Sequence, residues 1–334
     1  MKIKNINISD VSKLAGVSVA TVSRVINATC YVAPATKEKV NDAIKQLAYK
    51  PNLSARNLRK QISGAILIVT PNISNPYYGN IITGITETAR KSGNSTFVCT
   101  TNNELELELE FMKMLDSKRA DGAIVLATNA DDTHWSEYAK KYPVVFCSEY
   151  NPEAKIDHIS IDNYQAGYDA MEYLLKKGLK NIWLMSSSNK YISTKLREEG
   201  FIAAALKYGI KNANKKIIKA SNDYSFASAK KIIKKLIESG EKIDGLFCIS
   251  DILALGSLSM FKELSVRVPE DVSVFGFDNL EYAQMADPQI STVHQPCYEL
   301  GSEAMLMIQS KLKKVETAGN KILKHKLVLR ESVI

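Results

Sequence analysis

The residue with the most specific chemistry near the start of the chain is Arg24. Val22, Val25 and Ile26 recur at the spacing of one helical face, so a helix over residues 19–27 would turn Arg24 outward. A guanidinium can donate two parallel hydrogen bonds to O6 and N7 of a guanine in the DNA major groove. A phosphate contact and a surface salt bridge are the alternatives. The other residues of this outward face are small or polar: Ala20, Ser23 and Asn27.

The excess positive charge of the chain lies in the same segment. The 334 residues include 44 Lys and Arg against 36 Asp and Glu, a formal net charge of +8. Residues 1–62 hold 11 basic and 3 acidic residues, a net charge of +8, whereas the rest of the chain is balanced at 33 against 33. Positive charge concentrated in this way is typical of nucleic-acid binding. A merely basic, solvated domain is the alternative.

Three short helices are predicted in the basic segment. Asn7 or Ser9 can cap the first helix. Gly16 permits a left-handed turn, and Ser18 can cap the second helix. A third helix is predicted to begin near Pro34, because proline is favoured in a first helical turn. Two short helices joined by such a tight turn, the second with a small polar outer face, are typical of a helix-turn-helix.

From residue 63 onward, short apolar runs alternate with longer amphipathic stretches. This alternation predicts an α/β fold with buried parallel strands in doubly wound sheets. Residues 104–110 are ambiguous, since Glu and Leu alternate as in a strand while Leu105, Leu109 and Met112 have helical spacing. The predicted strands are residues 65–70, 96–100, 122–126, 144–147, 158–161, 182–185, 245–249 and 272–275, and the predicted helices are residues 78–92, 164–177, 191–208, 225–238 and 252–264.

The sequence contains no motif for a nucleotide cofactor, a nucleophilic serine, a zinc protease or a paired-carboxylate hydrolase, so no reaction and no cofactor are predicted. Five widely spaced cysteines without Cys-x-x-Cys predict reduced thiols, and neither they nor the four histidines have the spacing of a metal site. The apolar runs are too short to span a membrane, and the first residues do not form a signal peptide. We therefore expect a cytoplasmic protein without a membrane segment.

Residues 8–27, ISDVSKLAGVSVATVSRVIN, resemble the headpiece of the LacI/GalR family of bacterial transcription repressors. Residues 49–52, YKPN, and residues 55–58, ARNL, are similar to the hinge of that family. The resemblance implies a three-helix helix-turn-helix headpiece over residues 1–50 and a hinge helix over residues 51–62.

The resemblance also assigns roles in binding double-stranded DNA. It implies that Val19, Ala20 and Arg24 read base edges in the major groove. Leu58, an apolar residue among polar ones, would wedge between base pairs from the minor groove beside the small Ala55, or else would pack on the core. Seven further residues would contact the DNA backbone: Thr21, Ser23, Asn27, Tyr31, Thr36, Tyr49 and Asn52.

The resemblance continues through residues 63–334, which would form the core that binds an effector and dimerises. It implies two doubly wound parallel-sheet subdomains of the periplasmic-binding-protein type and a helix at residues 104–110. The N-subdomain would comprise residues of about 63–162 and 292–324, and the C-subdomain residues of about 163–291 and 325–334. The matching segments are NPYY at residues 75–78, KLREEGF at 195–201, SDILALG at 250–256, RVPEDVS at 267–273 and GFDN at 276–279.

The implied effector site is a cleft between the two subdomains. Many relatives have an Asp two residues after position 146, whereas this chain has Ser148, which leaves a nucleoside and a sugar as equal alternatives for the effector. Residues 277–279 and 295–301 look most like the cytidine-repressor branch of the family. The predicted cleft residues are Tyr77 and Tyr78 on one wall, Arg197, Tyr224, Ser250 and Asp278 on the other, and Ser148; an ion pair between subdomains and core aromatics are the alternative.

The predicted function is that of a homodimeric transcriptional regulator, a repressor, which binds a palindromic operator under allosteric control of a small molecule. No leucine heptad follows residue 330, which favours a dimer over a coiled-coil tetramer. A solute-binding receptor and a cytosolic sugar or nucleoside enzyme are the alternatives from other classes. The basic headpiece disfavours the first, and the lack of a catalytic motif disfavours the second.

Overall fold

The computed structural model describes residues 6–27, 30–49, 62–128, 132–222, 224–315 and 319–334. The chain divides into two compact units, Met1–Ser63 and Gly64–Ile334, called the headpiece and the core below. The predicted hinge lies almost entirely outside the described residues, and with it Asn52, Ala55 and Leu58.

The headpiece contains helices α1 (Ile8–Ala15), α2 (Val19–Asn27) and α3 (Pro34–Gln46), as the sequence predicted. Asn7, rather than Ser9, caps α1, and Asp10 completes a capping box by accepting from the Asn7 backbone N–H. Gly16 ends α1 at φ 64°, a left-handed conformation that costs glycine little. The three helices bury a small apolar core that consists of Val11, Ala15, Val22, Val40 and Ala43.

The core contains two sheets. The first has the strand order β11-β5-β4-β3-β1-β2, and its neighbouring strands are parallel. Apolar side chains cover both of its faces, in two clusters. Its strands are β1 (Ala65–Thr70), β2 (Ser95–Thr100), β3 (Gly122–Val125), β4 (Val144–Cys147), β5 (His158–Ile161) and β11 (Lys321–Leu323).

The second sheet has the order β12-β10-β9-β8-β6-β7, in which only the pairing of β12 with β10 is antiparallel among the described strands. Its strands are β6 (Ile182–Ser187), β7 (Ile217–Ala220), β8 (Gly245–Cys248), β9 (Ser273–Asp278), β10 (Ser291–His294) and β12 (Lys326–Val328). The chain passes from the first sheet to the second after β5, returns after β10 and passes over again between β11 and β12. This connectivity makes two subdomains, each built on one sheet.

Helices of the core cover these sheets, and glycines let two helix pairs approach closely. A Cβ atom on Gly84 would lie 2.1 Å from the carbonyl oxygen of Tyr298, which brings α4 against α12. A Cβ atom on Gly200 would lie 2.1 Å from the carbonyl oxygen of Tyr164, which brings α8 against α7. The helices are α4 (Pro76–Lys91), α5 (Leu105–Asp116), α6 (Asp132–Ala139), α7 (Asn163–Lys176), α8 (Ile192–Lys207), α9 (Phe226–Glu238), α10 (Asp251–Glu263), α11 (Glu281–Met285) and α12 (Cys297–Leu312).

The predicted α/β fold is confirmed, and the ambiguous segment is helical: α5 begins at Leu105, with Glu104 at its N-cap position, and its Glu108 and Met112 are buried. Two expectations differ from the structure. The predicted strand at residues 96–100 is not buried, because β2 is the edge of its sheet and leaves Phe97 and Val98 each 42% exposed. Strand β10 belongs to the second sheet, so the chain returns to the first subdomain after His294, slightly later than the expected boundary near residue 292. Strands β7, β10, β11 and β12 were not predicted from the sequence.

Within the described ranges, no helix combines the length and the apolar character needed to cross a membrane.

Candidate functional site

Helix α2 presents the predicted base-reading residues on its exposed face. Val19, Ala20 and Arg24 are exposed, whereas Val22 on the opposite side is fully buried. Ser18 fixes the start of the helix, because its Oγ accepts a 3.1 Å hydrogen bond from the backbone N–H of Thr21 and lies 2.9 Å from the Thr21 hydroxyl. The exposed face therefore belongs to a helix whose opposite face is anchored in the headpiece core.

The predicted backbone-contacting residues of the headpiece differ in how far other parts of the protein already hold their side chains. Asn27 Nδ2 donates to the carbonyl oxygen of Ser23 at 2.8 Å and to Ser23 Oγ at 3.2 Å, so these two side chains are already oriented by each other. Tyr31 is 89% exposed, and Thr36 lies half-buried in the first turn of α3. Tyr49 packs on the headpiece core instead of standing free.

The core encloses a polar cavity between its two subdomains, at the carboxyl ends of the strands, where ligands of doubly wound sheets bind. Its free volume is about 20 Å³, which is room for about one water molecule. Six of the seven predicted cleft residues line it, and Ser148 does not. The lining residues are Asn75, Tyr77, Tyr78, Glu149, Ser193, Arg197, Tyr224, Ile249, Ser250, Asp278 and Gln295.

Ser148 reaches the cavity through Tyr77. The Tyr77 hydroxyl lies 2.6 Å from Ser148 Oγ and donates to Gln295 Oε1 at 3.3 Å, while Gln295 Nε2 donates to Asp278 Oδ1 at 2.7 Å. Ser148 and Tyr77 belong to the first subdomain and Asp278 to the second. A continuous row of side-chain hydrogen bonds therefore joins the two walls through Gln295, a residue that the sequence reading did not select.

Arg197 is a buried cation whose position is fixed by several contacts. Its Nε donates to Asn163 Oδ1 at 2.9 Å, its Nη1 donates to the carbonyl oxygen of Ile249 at 2.8 Å, and its guanidinium stacks 3.6 Å above the ring of Phe277. Arg197 lies on helix α8 close to α7, since a Cβ atom on Gly167 would come within 2.6 Å of its carbonyl oxygen. The structure thus presents a charged donor at the cavity wall in one defined orientation.

Another buried carboxylate that lines the cavity, Glu149, was not predicted from the sequence. It lies one residue beyond Ser148, the position at which many relatives have an Asp, and it is 8% exposed. Burial raises the pKa of Glu149, while hydrogen bonds from Ser193 and the charge of Arg197 oppose that shift. The signal in the sequence is an acidic residue directly beside the position at which many relatives have an Asp.

Asp278 is the other buried carboxylate of the cavity. Burial raises its pKa to about 7, against the opposing effects of Arg197 and of hydrogen bonds from Gln295 and Ser250. Behind it, burial and the neighbouring Asp278 hold the pKa of Asp251 well above its usual range. Asp278 can therefore change its protonation state near neutral pH.

Three predicted cleft residues adopt left-handed backbone conformations that are uncommon outside glycine: Ser148 at φ 80°, Tyr224 at φ 56° and Asp278 at φ 113°. Each follows or adjoins the end of a strand or a turn at the cavity. The Tyr224 hydroxyl accepts from Asn189 Nδ2 at 2.8 Å, which orients the ring. Such conformations cluster at binding and catalytic sites because the surrounding structure holds them in place.

The comparisons with known proteins agree with both units. Residues 7–52 match the family described as bacterial regulatory proteins of the lacI family, and residues 63–329 match the family of periplasmic binding proteins and sugar binding domain of LacI family. The HTH-type transcriptional repressor CytR of Escherichia coli (strain K12) is 32% identical over 325 residues, which cover 97% of this chain and 95% of CytR.

Solved structures give the same result for the fold. The complex of the transcriptional regulator CelR with cellobiose is 26% identical with a TM-score of 0.75, and the match covers 98% of this chain and 99% of that one. The lac repressor dimer bound to operator and the anti-inducer ONPF has a TM-score of 0.89 at 24% identity, with 99% and 100% of the two chains covered, and it supports the fold alone. Because one family match spans most of the chain and CytR is similar over nearly its full length, the chain belongs to the LacI family of bacterial regulatory proteins.

Proposed function

We propose that this chain is a sequence-specific DNA-binding transcriptional repressor controlled by a small effector that binds in the core. The observation that carries the proposal is the exposed face of α2, with Val19, Ala20 and Arg24, on the unit that holds the whole net positive charge. Such a helix fits the major groove, where an arginine fork can recognise guanine and small apolar side chains can contact a thymine methyl.

The remaining predicted DNA contacts belong to the same proposal. Hydroxyl and amide groups at the rim of α2 and α3 would hold phosphates and set the register of the helix on DNA. Leu58 would wedge between central base pairs beside Ala55, which bends the duplex. The backbone-contacting residues in this proposal are Thr21, Ser23, Asn27, Tyr31, Thr36, Tyr49 and Asn52.

The effector in this proposal is an uncharged polar ring compound, a sugar or a nucleoside. Buried tyrosines could pack on its ring, while Arg197 and Asp278 would bond to its hydroxyl or amide groups. The proposed site comprises Tyr77, Tyr78, Ser148, Arg197, Tyr224, Ser250 and Asp278, and we include Glu149 and Gln295 because they line the same cavity. The CelR complex contains cellobiose, which supports a sugar, whereas the resemblance of residues 277–279 and 295–301 to the cytidine-repressor branch supports a nucleoside.

The regulator would act as a homodimer, because a two-fold protein matches a palindromic operator. The exposed edge strand β2, with Phe97 and Val98, and the exposed Tyr282 and Met285 of helix α11 offer apolar surface for a second copy. Unpaired edges and exposed apolar side chains of this kind are usually covered in an assembly. Catalysis forms no part of the proposed function, and a repressor of bacterial operators acts in the cytoplasm, where the chromosome lies.

Two measurements test the proposal. The full chain is incubated with a library of random-sequence double-stranded DNA, and the retained sequences are determined. We expect enrichment of a two-fold symmetric sequence, and retention without any enriched sequence would contradict sequence-specific recognition. Thermal unfolding is then measured with cytidine, uridine, adenosine, ribose and glucose, because a ligand that binds the folded state raises the melting temperature.

A further inference from the structure

The N-terminus of helix α8 is not capped by the side chain of the residue that precedes it. The residue at its N-cap position, Tyr191, makes no side-chain hydrogen bond to the first turn. The first N–H groups of a helix have no partner within the helix and need acceptors from elsewhere. Here the backbone N–H of Ser193 donates to Glu149 Oε2 at 3.1 Å, and Ser193 Oγ donates to Glu149 Oε1 at 2.5 Å. Glu149 therefore caps a helix that begins more than forty residues further along the chain.

The two partners of this cap belong to different subdomains. Glu149 lies two residues after the end of β4. Its backbone N–H donates to the carbonyl oxygen of Leu126 at 3.3 Å, so its backbone belongs to the first subdomain. Ser193 lies on α8, which packs in the second subdomain. Both residues are buried, Glu149 at 8% and Ser193 at 2% exposure. The carboxylate thus crosses the cavity and joins its walls directly.

A second hydrogen bond to the start of α8 also comes from the first subdomain. Tyr191 Oη donates to Asn103 Oδ1 at 2.9 Å, and Asn103 lies between β2 and α5. Separating the subdomains would remove both contacts together. The Glu149 carboxylate would then exchange the helix N–H and the hydroxyl for water, and the first turn of α8 would lose its acceptor.

We propose that Glu149 is a latch that holds the two subdomains of the core together by capping helix α8 across the cavity. The cavity that Glu149 shares with Arg197 and Asp278 has a free volume of about 20 Å³, so a sugar or a nucleoside bound between these three residues requires the walls to move apart. An effector that binds only the open arrangement has its apparent affinity lowered in proportion to the closed fraction. The latch itself follows from contacts within the core, and only its effect on an effector rests on the proposed function.

The test compares full-length variants without DNA or effector. Glu149→Ala removes the carboxylate, Glu149→Asp keeps the charge but is one methylene too short to reach both donors, and Glu149→Gln keeps the length with one acceptor oxygen in place of two. Ser225→Ala is the matched control, because Ser225 caps α9 from within its own subdomain by accepting from the Ser228 N–H. Hydrogen–deuterium exchange reports the first turn of each helix, and small-angle X-ray scattering reports the radius of gyration.

We expect Glu149→Ala and Glu149→Asp to speed exchange at the start of α8 by roughly 2- to 30-fold, the range set by the usual energetic value of a helix cap. Both should enlarge the radius of gyration, with Glu149→Gln intermediate. Ser225→Ala should change exchange only at α9. Unchanged exchange at α8 in all three Glu149 variants overturns the proposal, and so does faster exchange with an unchanged radius of gyration, which would make Glu149 a cap without a closing role. Circular dichroism confirms that each variant is folded, and DNA binding is not involved in any outcome.

Discussion

Gln295 Nε2 donates a 2.7 Å hydrogen bond to Asp278 Oδ1, and both side chains are buried in the cavity of the core. This bond ends the row that begins at Ser148 and Tyr77, so hydrogen bonds connect Asp278 to residues of the opposite cavity wall. Because burial raises the pKa of Asp278 to about 7, this carboxyl binds its proton more tightly in the folded state than in the unfolded chain.

We predict a pH-dependent difference in stability between the wild type and Asp278→Asn. A raised acid pKa contributes stability that is fully present below the ordinary pKa and is lost as the pH rises toward 7. Asparagine does not titrate and keeps an oxygen that can accept from Gln295. The free energy of unfolding of the variant, relative to that of the wild type, should therefore rise by on the order of 1 kcal/mol for each pH unit between about 5 and 7.

Urea unfolding of both proteins at a series of pH values measures this difference. The comparison with the variant is needed because burial also raises the pKa of Glu149 and of Asp251 and lowers the pKa of His158 and of His294. Parallel stability curves for the two proteins between pH 5 and 8 would show that Asp278 titrates in its ordinary range.

Two glycines of one helix should respond to alanine in opposite directions. A methyl group on Gly84 would collide with the backbone carbonyl of Tyr298, whereas nothing lies within 4 Å of the same position on Gly79. Gly84→Ala should reduce the free energy of unfolding by about 1–3 kcal/mol, the usual cost of overpacking. Gly79→Ala should raise it by up to about 1 kcal/mol, because alanine favours the helix. Equal effects in urea unfolding would mean that α4 and α12 do not pack as closely as described.

Arg24 should determine sequence preference more than affinity. Arg24→Ala should lose about 1–3 kcal/mol of discrimination against a changed base pair in the selected DNA. Arg24→Lys is the matched control, since it keeps the charge but loses the two-pronged donor geometry. We expect Arg24→Lys to bind random DNA like the wild type and to show the relaxed preference of the alanine variant, as measured by fluorescence anisotropy. If Arg24→Ala weakened selected and random DNA equally, Arg24 would contact phosphate instead of a base.

DNA binding should be sensitive to salt, and ligand binding in the core should not be. All of the net charge lies in residues 1–62, so the logarithm of DNA affinity should fall linearly and steeply with the logarithm of salt concentration. Thermal shifts produced by an uncharged ligand should change little over the same range. A core that lacks residues 1–62 should not bind DNA. If that core retained DNA in a filter-binding assay, a DNA-binding surface would have to lie within residues 63–334.

The sequence alone determined the units and most of their elements. The charge imbalance isolated the headpiece, and residues 19–27 form helix α2 within the predicted bounds because its apolar spacing, its Ser18 cap and its tight turn all favour the same structure. The long apolar runs became central strands for a similar reason. Strand β1 is buried on both faces, so its residues 65–69 are all apolar and the strand is easily recognised.

Only the tertiary structure decided which residues complete the cavity. Glu149 and Gln295 carry no local pattern that marks them as functional, because their roles come from partners 44 and 17 residues away in the sequence, Ser193 and Asp278. Edge strand β2 likewise cannot be told from a central strand by its residue types. These three features depend on how segments that are distant in the sequence pack together. Local sequence does not encode that packing.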